Sequence, residues 1–460
     1  MNRAWLLCLL SAGVSFGISG CPGGSANIPD TGTVADVPSV TDSAVADTGA
    51  DARPPPFDAG PAPMCTITAE ARHIVDRPGG DRLADPAQLL AVQGGFLVSA
   101  RYVEERAAGA GDGGVGDASD SGTIAPPVVV ADRSIVLPLG ADGAPRPAVT
   151  LYDGTPMMTS TTAPRLHRTP TGALAILQEV RGNASSPDFL LRLHAAEIAN
   201  DGTASMARVI RDRVALPDTT VMGAGIFGTS ARVESIGDAG LVAASPISIL
   251  LDSMGRDARP ADVLLTNIWP IEVLEQRMRT RADNGAVLVY RRGTQMAFIP
   301  FDARGVPEPT GTFDVVGATV PSLEDAAAVG DGVIGVWSRN IAGTTEVHVV
   351  VAGNDHRLRL DQELERFSGE GPTVVSVVPA YGGAALVWRR GVDARARVRV
   401  AVVAPDGTIR VAPTDLVSAA NIEGRIAVVS DGRQLTFVAR DGIRADRWGY
   451  TFGRACLPAM

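Results

Sequence analysis

The sequence contains no lysine, so its 41 basic residues are all arginine, and 51 acidic residues bring the formal net charge to −10. Binding to nucleic acid needs a basic face that neutralises phosphates, and this charge balance argues against such a partner. Aromatic residues make up only 5% of the 460 residues. A core drawn from the 45% hydrophobic content must therefore consist mainly of Val, Leu, Ile and Ala.

The sequence also lacks the motifs that mark catalytic and metal sites. No G-x-S-x-G element is present that could anchor a hydrolase triad. The histidines, which are His73, His167, His194, His348 and His356, show no paired ligand spacing. Of these, His348 alternates within a predicted strand, where a half-exposed surface position is expected. We therefore predict no catalytic residue, no cofactor and no metal site.

The N-terminus has the parts of an export signal. Arg3 supplies a positive charge, and residues 4–18 form an apolar segment that is short for a membrane span. The run Ile18-Ser19-Gly20-Cys21 that follows resembles the lipobox of bacterial lipoproteins. The resemblance implies that residues 1–20 are a signal peptide and that Cys21 carries the lipid, including a palmitate-type N-acyl chain. An ordinary secretory signal in which Cys21 is incidental is the alternative.

The residue after Cys21 is Pro22 and not Asp, so the common inner-membrane retention signal is absent, and we expect an outer-membrane lipoprotein of the cell envelope. Residues 22–63 contain six Asp and almost no large apolar side chains. Such a segment buries too little surface to offset its ordering entropy. We therefore predict a disordered acidic and Pro-rich tether over residues 21–64, followed by one folded domain over residues 65–460.

Only four cysteines occur, and two of them fall in the folded part. Cys8 leaves with the signal peptide and Cys21 is the lipidation site, which leaves Cys65 and Cys456 at the two extremes of the domain. In an oxidising compartment such a pair predicts one disulfide that joins the ends of the fold.

An internal repeat of about 50 residues runs through the folded part. Residues 285–293 (GAVLVYRRG), 332–340 (GVIGVWSRN) and 383–391 (GAALVWRRG) are its clearest copies. Looser copies begin at Gly95, Gly172, Gly240 and Leu435, which makes about seven. One unit divides into strands at residues 373–378, 384–390, 397–403 and 408–411, with a tight turn at Pro405-Asp406-Gly407. Similar turn signals recur at Asp142-Gly143, Asp201-Gly202, Gly255, Gly305, Asn354-Asp355 and Asp441-Gly442.

Repeats of this length built from four strands are typical of β-propellers, and we predict an all-β propeller of seven four-stranded blades. The second strands are apolar at every position, which indicates that both of their faces are covered. Six or eight blades, or tandem β-sandwich domains, are the alternatives. Residues 107–123 interrupt the first repeat and predict a disordered insertion, and residues 272–281 could form a helical turn. The S-x-D-x-G-x-x-W box of sialidases is missing, and no other propeller subfamily is matched.

Arginines end the second strand of successive repeats. They are Arg291, Arg292, Arg339, Arg389, Arg390 and Arg440. Equivalent positions of a propeller lie on one ring, so these side chains could form a basic ring that engages an anionic glycan or partner. The simpler interpretation is solvated strand ends that pair with nearby Asp and Glu.

Together these features predict a membrane-anchored exported lipoprotein whose propeller binds or scaffolds an envelope protein or polysaccharide. The alternative is a glycan-active hydrolase or lyase with its site at the central channel. A cluster of carboxylates at the channel mouth would favour the enzyme, whereas small or apolar residues would favour binding.

Overall fold

The computed structural model describes twenty-four stretches of the chain, all of them between residues 70 and 457. They are residues 70–73, 77–78, 81–83, 86–106, 128–154, 159–161, 163–181, 190–211, 232–236, 239–244, 247–251, 262–263, 276–281, 285–292, 295–308, 311–314, 322–330, 332–353, 355, 357–368, 373–391, 397–418, 422–441 and 447–457. The lipobox, the tether, Cys65 and the insertion at residues 107–123 lie outside these stretches, so the predictions made for them stay predictions.

Every regular element in the described stretches is a β-strand. The strands are β1 (Glu70–His73), β2 (Arg77–Pro78), β3 (Asp81–Leu83), β4 (Gln88–Val92), β5 (Gly95–Arg106), β6 (Val128–Gly140), β7 (Val149–Gly154), β8 (Thr159–Thr161), β9 (Arg165–Thr169), β10 (Gly172–Arg181), β11 (Leu190–Ala199), β12 (Arg208–Arg211), β13 (Arg232–Ile236), β14 (Ala239–Ala244), β15 (Ile247–Leu251), β16 (Asp262–Val263), β17 (Gln276–Thr280), β18 (Ala286–Arg292), β19 (Gln295–Phe301), β20 (Gly311–Asp314), β21 (Ser322–Val329), β22 (Gly332–Ile341), β23 (Thr344–Gly353), β24 (Leu358–Ser368), β25 (Thr373–Ala380), β26 (Gly383–Arg390), β27 (Arg397–Val403), β28 (Ile409–Ser418), β29 (Ile422–Ser430), β30 (Gln434–Asp441) and β31 (Arg447–Cys456). The described residues include no helix of the length and apolarity that a membrane span requires.

The described strands form seven antiparallel sheets of four or five strands, which confirms an all-β, β-propeller-like fold. In chain order, sheet 1 contains β3–β7, sheet 2 β8–β12, sheet 3 β13–β16, sheet 4 β17–β20, sheet 5 β21–β24 and sheet 6 β25–β28. Sheet 7 contains β29, β30 and β31, and its outer strands β1 and β2 come from the N-terminal side of the domain. In this sheet β1 pairs with β31 in the register Glu70 opposite Arg454.

In each sheet, the strand that directly precedes the second strand of the repeat along the chain is called the first strand. These first strands contact one another in succession. The order is β4, β9, β13, β17, β21, β25 and β29, and β29 in turn contacts β4. Hydrophobic side chains fill the spaces between neighbouring sheets: Trp388 packs with residues of sheets 5 and 6, and Phe452 packs with residues of sheets 7 and 1. In each of these pairs, one sheet therefore covers a face of its neighbour.

Sheet 6 shows how closely the sequence pattern matched its strands. The predicted strands at residues 373–378, 384–390 and 397–403 correspond to β25, β26 and β27 within two residues at each end. The fourth strand, β28, runs on to Ser418, well past the predicted end at residue 411. Five successive residues of β26, Ala384 to Trp388, are fully buried, which confirms that both faces of this second strand are covered.

A prediction for residues 272–281 was wrong. The possible helical turn there is the strand β17, which covers Gln276–Thr280 and pairs with β18. The segment Gln276-Arg277-Met278-Arg279-Thr280 has one apolar residue, and its pairing with β18 makes it a strand.

The glycine that begins four of the repeats has a steric reason. Gly95, Gly172, Gly332 and Gly383 all open a second strand, and a Cβ atom at any of them would overlap a backbone carbonyl oxygen of the third strand. In sheet 6 the overlapped carbonyl belongs to Val403. The repeat visible in the sequence is therefore a packing requirement between the second and third strands.

We expect the change Gly383→Ala to lower the free energy of unfolding by about 1–3 kcal/mol, because the added methyl group must push β26 away from β27. Urea unfolding followed by circular dichroism measures the change. The matched control is Gly335→Ala in β22, where a Cβ atom meets nothing within 4 Å. Equal effects of the two substitutions would contradict the steric explanation.

Candidate functional site

A cavity of about 180 Å³ lies where the first strands of the sheets meet. Its described lining comes from β4, β9, β17, β21, β25 and β29, with the residue just before β4. The volume is close to that of an engineered cavity of about 150 Å³ that accepts a benzene ring. The space therefore suits one small ring or one charged group with a few waters.

The charged side chains of the cavity are mostly cationic. Four arginines, Arg165, Arg277, Arg279 and Arg425, line it together with the carboxylate of Asp325. They come from sheets 2, 4, 5 and 7, so four sheets contribute to the set. The described lining therefore carries a formal charge of +3.

Polar side chains of the first strands also form hydrogen bonds between neighbouring sheets. Gln88 of β4 donates from Nε2 to Leu166 O of β9 and accepts from Leu166 N, both at 2.8 Å. Ser376 of β25 donates from its hydroxyl to the Ile426 carbonyl of β29. These bonds fix the spacing of the strands around the cavity.

Two of the arginines are held through backbone carbonyl groups. Arg277 donates from Nε to Glu324 O at 2.9 Å and from Nη2 to Leu323 O at 3.2 Å, so β17 is bound to β21. Arg165 donates from Nη1 to Ala87 O at 2.9 Å. Because a carbonyl group carries no net charge, these bonds orient the guanidinium groups without neutralising them.

Asp325 is buried at 2% exposure and holds the centre of the cluster. It pairs with Arg279, lies 3.7 Å from Arg277 Nε and accepts the Val377 N–H at 2.8 Å. Burial by itself raises the pKa of Asp325, but the neighbouring guanidinium groups and the Val377 N–H outweigh it and hold that pKa below its ordinary value. The carboxylate is therefore ionised and serves as the counter-charge of the arginines.

Burial and the neighbouring positive charges lower the pKa values of two arginines. Burial, followed by repulsion from Arg425, Arg277 and Arg279, lowers the pKa of Arg165 to about 9. Burial and repulsion from Arg425 lower the pKa of Arg277 to about 10. An arginine stays charged in proteins, so values this low mean that the site would be stabilised by further negative charge.

Some donors in the cavity are not used by the protein itself. The Nε atom of Arg165 is buried and has no hydrogen-bond partner within the described stretches. Arg425, the neighbour that most strongly affects both Arg165 and Arg277 among the charged groups, makes no described hydrogen bond or ion pair. These donors are available to an anion that enters the cavity.

Much of this site comes from one regular position in the first strands, and the sequence predictions did not include that position. Gln88, Arg165, Arg232, Asp325 and Ser376 each lie four residues before the last residue of their first strand. The side chain of Arg232 is not among those described. A polar residue at this distance before the turn in five of the repeats is the signal that could have found the cavity.

The arginines singled out in the sequence lie elsewhere in the sheets, and none is among the described residues that line the cavity. Antiparallel pairing puts the end of a second strand beside the start of the first strand, as in Thr373 opposite Arg389, whereas the cavity residues of β25 run from Ser376 to Pro379. Arg339 pairs with Glu346 at 2.5 Å, and Arg390 pairs with Glu365 at 3.1 Å. Arg291, Arg389 and Arg440 also have partners, and the side chain of Arg292 lies outside the description. A basic ring with a ligand stays a prediction.

Known proteins give little help in naming the ligand. No protein-family model and no curated protein matches the chain. Among solved structures it is similar to a puromycin hydrolase, at 16% identity over 78% of this chain and with a TM-score of 0.39, and it spans 50% of that enzyme's length. It is also similar to a sialidase from Trypanosoma rangeli (9% identity, 80% of this chain, 53% of that one, TM-score 0.40) and to the NanB sialidase from Streptococcus pneumoniae (8%, 84%, 70%, 0.42). At these identities and scores, the ligand has to be inferred from the residues of the chain itself.

Proposed function

We propose that this chain is a lipid-anchored exported protein whose domain is a closed seven-bladed propeller that binds an anionic group in the cavity. The ligand would be a carboxylate, phosphate or sulfate carried by an envelope glycan or protein. Closure is supported by the contact between β29 and β4 and by the hydrophobic cluster that joins sheets 7 and 1. Lipidation at Cys21 and an outer-membrane location rest on the lipobox resemblance.

The observation that carries the binding proposal is the set of four arginines around one carboxylate. Guanidinium groups recognise carboxylates and phosphates through paired, charge-assisted hydrogen bonds. Asp325 neutralises one positive charge, which leaves about three for a ligand in a partly buried space. This lining is neither the carboxylate cluster expected of an enzyme nor the set of small or apolar residues expected of a binding module, and the proposal rests on the arginines instead.

The chemistry of Asp325 favours binding over hydrolysis. Glycoside hydrolases typically use two carboxyl groups, one of which must be protonated to act as the acid. In the described lining Asp325 is the one carboxylate, and its lowered pKa keeps it ionised. It is suited to holding arginines in place and unsuited to donating a proton.

A disulfide between Cys65 and Cys456 belongs to the same proposal. Cys456 ends β31 at 4% exposure, and β31 pairs with β1. Cys65 precedes the first residue of β1 by five positions in the sequence. The register of β1 on β31 thus brings the two ends of the domain into one sheet, which supports the pairing.

Titration calorimetry with glucuronate, inorganic phosphate and sulfate tests the cavity, with glucose as the uncharged probe. We expect at least one anion to bind and glucose to give no heat. The change Arg425→Gln should weaken binding at least tenfold, since a lost charge-assisted hydrogen bond costs about 1.5–3 kcal/mol. The matched control is Arg168→Gln, an exposed arginine on β9 that does not line the cavity.

Two results would contradict the proposal. Binding of none of the three anions would remove the anion site altogether. Binding that is equally strong in Arg425→Gln and Arg168→Gln would place the site outside the cavity.

A further inference from the structure

A second polar cluster lies in sheet 5, on strands that do not line the cavity. Glu346 and His348 are two residues apart on β23 and therefore point to the same face of the sheet. Glu363 of β24 lies directly opposite His348 in the register. The possible ligand atoms of these three residues all lie within 4.8 Å of one another.

The ring of His348 is buried, with 9% of the residue exposed, and not half-exposed as predicted. Its Nδ1 atom lies 3.3 Å from Asp361 Oδ1 in a hydrogen bond. A carboxylate acceptor at Nδ1 favours the tautomer that carries its proton there, which leaves a lone pair on Nε2.

That lone pair points at another acceptor. The Nε2 atom of His348 is buried without a hydrogen-bond partner and lies 3.6 Å from Glu346 Oε2. This separation is too long for a hydrogen bond, so a proton on Nε2 would find no acceptor in Glu346, whose carboxylate already pairs with Arg339 and Arg366. Zinc bonds to nitrogen and oxygen at about 2.0–2.2 Å, and a tetrahedral ion therefore sets neighbouring ligand atoms about 3.4 Å apart.

We propose that His348 Nε2, Glu346 and Glu363 bind a divalent transition-metal ion of the zinc class. Imidazole and carboxylate groups are among the usual ligands of that ion, and water would complete the coordination. Asp361 is then a positioning residue, because it orients the ring through Nδ1. The site is independent of the anion cavity and of the function proposed for it.

The surrounding charges are compatible with this ion. Glu346 pairs with Arg339 and Arg366, Glu363 pairs with Arg366, and Asp361 contacts His348. These three carboxylates and two guanidinium groups sum to a formal charge of −1 when His348 is neutral. The Arg366 side chain is 57% exposed and can turn away to free Glu363, which is itself 35% exposed. Arg339 can keep its bond to Glu346 while that carboxylate holds the metal.

Equilibrium dialysis of the full chain, prepared without a polyhistidine tag and treated with a chelator, tests the site with Zn²⁺. We expect the wild-type protein to retain one equivalent more than His348→Ala and Glu363→Gln, each of which removes a ligand. Asp361→Asn should keep the equivalent but weaken its binding by about 10–100-fold, as losses of such positioning partners typically do. Circular dichroism shows whether each variant is folded.

The matched control is Glu197→Gln, an exposed strand glutamate in sheet 2, which should bind Zn²⁺ like the wild type. Co²⁺ provides a second readout, because a tetrahedral site with these ligands gives a visible absorption band that His348→Ala should lose. The proposal is overturned if the wild type retains no Zn²⁺, or if folded His348→Ala and Glu363→Gln both retain as much as the wild type.

Discussion

Replacing Asp325 with asparagine should lower the free energy of unfolding by about 3–5 kcal/mol at neutral pH, the usual cost of removing one partner from a buried ion pair. The variant keeps the shape of the side chain but leaves the guanidinium groups of Arg277 and Arg279 without their nearest counter-charge. Chemical unfolding at pH 7 measures the loss. The control is Asp153→Asn, an exposed residue paired with Arg133, where a change of no more than about 1 kcal/mol is expected.

The same pair predicts a dependence on pH. Because the pKa of Asp325 in the folded protein lies below its ordinary unfolded value, its ion pairs contribute fully above the unfolded pKa. Their contribution is lost as the pH falls through the folded pKa. The stability difference between the wild type and Asp325→Asn should therefore be largest at neutral pH and should shrink below about pH 4.

Anions provide the decisive comparison. If the cavity carries a surplus of positive charge, sulfate or phosphate should stabilise Asp325→Asn more than the wild type, since a bound anion replaces the missing carboxylate. Chloride at the same ionic strength controls for screening. Equal stabilisation of both proteins by sulfate would argue that Asp325 has a packing role only.

Breaking the proposed Cys65–Cys456 disulfide should lower the free energy of unfolding by about 2–5 kcal/mol, because the reduced chain gains freedom in its unfolded state. Urea unfolding with and without a reducing agent measures this. Cys65→Ala and Cys456→Ala should each reproduce the effect of the reductant, and the reductant should not destabilise either variant further.

A double variant separates a bond from two independent packing losses. If the two cysteines are joined, Cys65→Ala and Cys456→Ala together should cost no more than one of them. Costs that add up, or a midpoint of unfolding that is unchanged by the reductant, would show that the ends of the domain are not linked.

Much of the fold could be predicted from the sequence because it depends on neighbours along the chain. Apolar runs such as Ala384 to Trp388 predicted buried second strands, and glycines such as Gly383 mark where two strands approach too closely for a side chain. Turn signals such as Asp406-Gly407 marked the ends of hairpins, where Asp406 accepts the Thr408 N–H at 2.8 Å. Each of these features acts within about 50 residues, so each recurs in the repeat and is visible there.

The cavity and the cluster proposed to bind a metal depend on the tertiary structure alone. Arg165 and Arg425 are 260 positions apart in the sequence, and they share one cavity because β29 and β9 both lie next to β4. Their charges interact strongly only after burial removes the water that would screen them. The repeat predicted a site at the arginines that end the second strands. The cavity instead lies on the first strands, whose residues differ from sheet to sheet. A sequence repeat reports what every sheet needs in order to pack, but a binding site is built from what each sheet contributes differently.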